Sequence, residues 1–92
     1  MKLIRTVDGQ FVNVAMLENF MLVSANRGSI NAPIYEVVGY APSYCTDIPD
    51  RYVFAIDSKE NAEKRLEAII EWLTNSADDV FNAMLLWESD YE

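Results

Sequence analysis

The chain has 92 residues, of which 51% are hydrophobic and 12% aromatic, enough apolar mass for one core and a single domain spanning 1–92. Fifteen acidic against seven basic residues leave a net charge of −8, which disfavours direct nucleic-acid binding and attachment to anionic membranes, since both depend on Lys and Arg. There is no histidine and one cysteine, Cys45, which excludes the commonest acid–base group and transition-metal ligand, a structural zinc site, and Ser-His-Asp or Cys-His hydrolases.

Leu3 to Val7 and Phe11 to Val14 flank an Asp8-Gly9 pair suited to a tight turn, so they predict a β-hairpin. Ala15 to Asn19 reads as a short turn, and the apolar run Phe20 to Ala25 as a buried strand. Asn26-Arg27-Gly28-Ser29 is a turn by composition; beyond Pro33, the β-branched and aromatic residues from Ile34 to Tyr40 predict a fourth strand. A loop with Pro42, Cys45, Asp47, Pro49 and Asp50 leads to a fifth strand, Tyr52 to Ile56.

Helical signals then take over. Asp57 with Glu60, or Ser58 alone, can cap a first turn. Ala62, Leu66, Ile69, Ile70 and Leu73 recur at helical spacing, which leaves Glu60, Glu63, Lys64, Glu67 and Glu71 largely on the outer face, its four glutamates an acidic stripe. Ser76 and Asp79 resemble a second capping pair and predict a second helix from about Ala77 to Trp87, apolar nearly all round. The expected fold is α+β: an antiparallel meander of about five strands followed by two C-terminal helices packed on the sheet.

The charge is unevenly divided. Residues 1–56 hold five acidic and four basic side chains, residues 57–92 ten and three. No apolar run approaches the about 20 residues of a membrane-spanning helix. The basic start Met1-Lys2-Leu3-Ile4-Arg5 lacks the apolar stretch of a secretion signal, so cytoplasmic residence is expected, in keeping with a lone Cys45. Gly9, Gly28 and Gly39 match no phosphate loop or dinucleotide fingerprint. Asp78-Asp79 and the helical glutamates read as dipole partners and a solvated face, and Asp47 and Asp50 lack the calcium-loop pattern. No cofactor, metal or catalytic residue is expected, and the chain is read as noncatalytic.

The passage Phe11-Val12-Asn13-Val14, Leu17-Glu18-Asn19-Phe20, Ile34-Tyr35-Glu36-Val37-Val38 and Tyr52 through Ala62 resembles a pattern in small bacterial and phage proteins, similar to bacterial pleckstrin-homology-like domains. The resemblance covers residues 11 to about 73. It implies a meander closed by a helix, and it names no function; the predicted helix from Ala77 to Trp87 departs from it.

Three binding roles follow from the residues. The leading one is a protein-interaction or regulatory protein, self-associating or bound to another protein through Phe81, Met84, Leu85 and Trp87 on the last helix with Trp72 nearby, since aromatic and Met anchors suit a desolvated interface. The same residues can instead complete the core. In the second role the acidic face imitates nucleic acid and occupies a basic groove on a nucleic-acid-binding protein. In the third, Tyr35, Tyr40, Tyr44 and Tyr52 converge on a small-ligand pocket.

Overall fold

The computed structural model describes residues 1–29, 32–42 and 50–85, apart from the side chains of 26–29, 32 and 85. The predicted hairpin forms from β1 (Leu3–Arg5) and β2 (Phe11–Asn13). Its strands are shorter than predicted because the turn occupies Thr6 to Gln10. The Gly9 amide donates to the Thr6 carbonyl at 3.1 Å, and Gly9 takes φ 94°, the left-handed conformation that closes a three-residue hairpin loop. The buried Thr6 hydroxyl accepts from the Gln10 amide at 2.9 Å and donates to the Asp8 carboxylate. Asn13 Oδ1 then accepts from the Ala15 amide and opens a 3-10 turn, Val14–Met16, that redirects the chain.

β3 (Asn19–Ser29), β4 (Ala32–Ala41) and β5 (Asp50–Ser58) form an antiparallel sheet in that order. The pairings Phe20–Gly39–Tyr52 and Leu22–Val37–Ala55 put these residues on one face. A register shift leaves Phe54 as the extra residue between Val53, opposite Val38, and Ala55, opposite Val37. Phe54 is fully buried and its ring lies 5.7 Å from that of Phe20. Its edge also fills the space a Cβ on Gly39 would need, so this strand position accepts only glycine without repacking. On the opposite face Arg51 reaches Glu36 at 2.5 Å. By register that ion pair passes over Val53 and Val38, and Val38 is fully buried.

Helix α1 (Lys59–Asn75) covers the first face and contacts all three strands. Ser58 is its N-cap, accepting from the Asn61 amide at 3.4 Å. The inward stripe is Ala62, Arg65, Ile69 and Trp72, turned slightly from the predicted one: Ile70 is half exposed and a charged residue, Arg65, takes a core position. Arg65 is tolerated there because its Nε meets Asp57 Oδ2 at 3.0 Å and its Nη1 donates to the Ala83 carbonyl.

Three expectations are corrected. Asn26-Arg27-Gly28-Ser29 is not a turn: β3 runs through it to Ser29, and Gly28 and Ser29 pair with Pro33 and Ala32 of β4 beyond a register shift. The five strands are not one meander. β1 lies at the centre of a second, three-stranded sheet ordered β2-β1-β6, where β6 is Val80–Phe81 and runs parallel to β1. The predicted helix from Ala77 to Trp87 is absent over its described part: β6 is followed by a single 3-10 turn, Ala83–Leu85. Ser76 caps the C-terminus of α1 instead of starting a helix, its amide donating to the Trp72 carbonyl at 3.3 Å and its hydroxyl accepting from the Asp78 amide at 3.1 Å. As a helix this segment would hold Asp78, Asp79 and Asn82 on one side but spread Val80, Phe81, Ala83 and Met84 over most of the remainder, a wider apolar surface than one packed face. As a short strand it pairs its backbone with β1 and divides its side chains between two faces, Phe81 inward and Val80 outward.

Candidate interaction site

Of the residues predicted to form an apolar contact, three are drawn into the chain's own packing. Trp72 is 4% exposed. Its ring stacks on Phe81 with centroids 5.2 Å apart and planes 23° apart, and its Nε1 donates to the Asp78 carbonyl at 2.8 Å. Met84 packs against the core, and its sulfur lies 3.5 Å from the Ile56 amide, an acceptor contact at the edge of β5. The Leu85 side chain and Trp87 lie outside the described residues. The aromatic cluster was thus legible in the sequence, and the tertiary structure turns its main member inward.

The C-terminal end of α1 has no basic residue in its last turn. Lys2, from the start of the chain, supplies the missing cation. Its Nζ donates to the carbonyls of Trp72 at 2.6 Å and Ser76 at 2.8 Å, with Leu73 at 3.4 Å, and lies 4.9 Å from the centroid of the Trp72 ring. The Trp72 carbonyl also accepts from the Ser76 amide, so the ammonium adds to that cap, and a cation here opposes the helix dipole. Nothing in the sequence links positions 2 and 72 to 76; the lack of Lys or Arg near residue 73 was the only available sign.

Pairing with β1 gives the small sheet two distinct faces. Ile4, Val12 and Phe81 point into the core, Ile4 fully buried. Leu3, Arg5, Phe11, Asn13 and Val80 form the outer face by register, where Phe11 is 55% and Val80 52% exposed. Isolated exposed hydrophobics are ordinary, but here Val80 lies beside Leu3 and Phe11 diagonally across the same sheet face, beside Arg5.

No protein-family model, curated protein or solved structure matches this chain. Its function therefore has to be read from these surfaces.

Glu60, Glu63, Glu67 and Glu71 are all exposed on α1, with Lys64 3.7 Å from Glu60. An exposed pair of this kind adds little stability. The predicted tyrosine pocket does not form from the described residues: Tyr35 and Tyr52 share the α1-facing side of the sheet, whereas Tyr40, opposite Arg51, is on the other. Tyr44 lies outside the described residues. Among the described residues no three His, Cys, Asp or Glu side chains gather to hold a metal ion, and no helix is long and apolar enough to cross a membrane. A groove of about 380 Å³ lies between the hairpin turn and the start of β5, lined by residues that include Asp8, Gln10 and Arg51. A second, of about 310 Å³, lies along the last two turns of α1 beside Trp72 and Phe81.

Proposed function

We propose that the protein is a noncatalytic interaction protein that self-associates through the outer face of the small sheet. The observation supporting this is the pair of exposed side chains Phe11 and Val80 on one sheet face, Val80 beside Leu3 and Phe11 beside Arg5. Burying them against a second copy removes apolar surface from water at about 25 cal/mol per Å². The charge distribution leaves this face free of carboxylates by register and so limits the repulsion a second copy meets there. Two chains of net charge −8 repel one another, and the exposed glutamates Glu60, Glu63, Glu67 and Glu71 belong to α1, while the charged member of this sheet face is Arg5. An isologous pairing can set Phe11 of each copy against Val80 of the other, since β2 and β6 lie on opposite sides of β1. Five side chains make a small contact, below the about 800 Å² per partner of a standard interface, so the assembly is weak and concentration-dependent.

Sedimentation equilibrium over a wide concentration range tests this. The weight-average mass is expected to rise from the 10.5 kDa of the chain toward twice that value. The double variant Phe11→Lys with Val80→Lys should remain monomeric, with an unchanged circular dichroism spectrum. A wild-type mass that stays at the monomer value throughout refutes the reading.

A further inference from the structure

The sheet β3-β4-β5 has two edges, and the described residues close one of them. Along β5 the Val53 carbonyl accepts from the Val7 amide at 2.9 Å, and the Ile56 amide faces the Met84 sulfur at 3.5 Å. β3 is the other edge. The Tyr40 carbonyl accepts from the Glu18 amide at 2.8 Å, so Tyr40 turns its backbone toward β3. By the alternation of a strand Val38 and Glu36 do the same, opposite Met21 and Val23. Phe20 and Leu22 therefore turn their N–H and C=O groups outward, and among the described residues nothing pairs with these groups. Exposed edges are usually blunted by a charge, a proline or a bulge. Asn19 to Ala25 hold no charged residue, proline or glycine, and one register runs from Asn19 through Ser24.

We propose that this edge receives an extended basic segment of another protein as an added antiparallel strand, apolar at alternate residues. In an antiparallel pair, the residues bonded to Phe20 and Leu22 carry their side chains on the same side of the sheet as these two, the side that α1 covers. Ala68, Trp72 and Asn75 form the flank of α1 beside Phe81. The helical repeat puts Leu66, Ile70 and Leu73 on the opposite flank, toward β3, with Leu66 and Leu73 half-buried and Ile70 50% exposed. The edge thus offers hydrogen bonds to a backbone and apolar contact to every second side chain. Charge selects the occupant. Glu63 and Glu67, each three residues before Leu66 and Ile70, are exposed along that flank, and Glu18 is exposed just before β3, so a basic segment is attracted and an acidic one repelled. A second copy of β3 offers the same hydrogen bonds, but antiparallel pairing puts both helices on one side of the joined sheet, with their glutamates facing each other.

The test is an 1H–15N NMR titration of the full chain, with amide hydrogen exchange, using the peptide acetyl-Lys-Thr-Val-Thr-Val-Thr-Lys-amide, whose Val and Lys side chains share one face. Binding should give saturable shifts at Phe20, Leu22 and Ile70. It should also slow exchange of the Phe20 and Leu22 amides, which in the free chain exchange at least about tenfold faster than those of Met21 and Val23. N-methylation of both Val residues removes the amides that face β3 and should weaken binding at least about tenfold, whereas N-methylation of the central Thr, whose amide faces away, should change it by less than about twofold. Replacing both Lys by Glu should weaken binding at least about tenfold. Ile70→Ala, at a half-exposed position that leaves the fold intact, should weaken it about threefold to fivefold. No saturable shift, equal loss on methylating Val or Thr, or equal binding of the Lys and Glu peptides would each overturn the proposal. Exchange at Phe20 and Leu22 that slows with rising protein concentration in the absence of peptide would assign the edge to a second copy and overturn it too. Self-association through Phe11 and Val80 is read by mass and does not depend on this outcome.

Discussion

Arg65→Met gives the sharpest test of how α1 is held. The Arg65 side chain is 6% exposed and that of Asp57 24%, and Ala83, whose carbonyl Arg65 also bonds, is fully buried. Methionine keeps much of the apolar stem and removes the guanidinium, which leaves the Asp57 carboxylate without its cation and the Ala83 carbonyl without this donor. Breaking a buried pair from one side costs about 3–5 kcal/mol. Asp57 keeps the Ser58 amide at 2.8 Å and Asn61 Nδ2 at 3.5 Å and is open enough for water to reach it, so the cost falls at the lower end, about 3 kcal/mol. For a domain of this size that is a fall in Tm of about 12–24 °C, and a large part of a total stability of about 5–15 kcal/mol. Urea unfolding followed by circular dichroism measures it, and a double-mutant cycle with Asp57→Asn should give a coupling of about 1–2 kcal/mol. A loss below about 1 kcal/mol, the range of surface pairs, would refute the idea that this pair fastens the helix to the end of β5 and the last turn.

Lys2→Met removes three carbonyl contacts and the cation at the C-terminus of α1; it should cost about 1–2 kcal/mol in thermal or urea unfolding, and an unchanged stability would show that water replaces the ammonium at no cost. Gly39→Ala places a Cβ 2.7 Å from Phe54 Cε2 and 3.3 Å from Leu17 Cδ1, so overpacking should lower stability by about 1–3 kcal/mol; a neutral or stabilising result in the same assay would mean that the Phe54 ring moves aside freely.

The sequence by itself determined the α+β class, the hairpin around Asp8-Gly9, the three long strands and the helix that follows them, because periodicity records which side of each element is apolar; the turn composition of Asn26 to Ser29 did not end β3, which pairs with β4 through Ser29. The outer glutamates of α1 were legible for the same reason: Glu60, Glu63, Glu67 and Glu71 follow the helical repeat and are exposed. What periodicity does not record is which elements meet. Asp57 and Ser58 are equally good caps on paper; in the structure Ser58 caps α1 and Asp57 meets Arg65 from the next turns of the helix. Residues 77–85 carry helix-start signals, yet the open edge of β1 offered Val80 and Phe81 a ladder, and the Trp72 ring offered Phe81 a stack. Tertiary partners outweighed a local propensity that amounts to a few tenths of a kcal/mol per residue. The candidate site divides the same way. Trp72 and Phe81 could be named from the chain alone, whereas Phe11 and Val80 were not, because their place on one sheet face arises from contacts between residues some seventy positions apart, Leu3 with Val80 and Lys2 with Trp72.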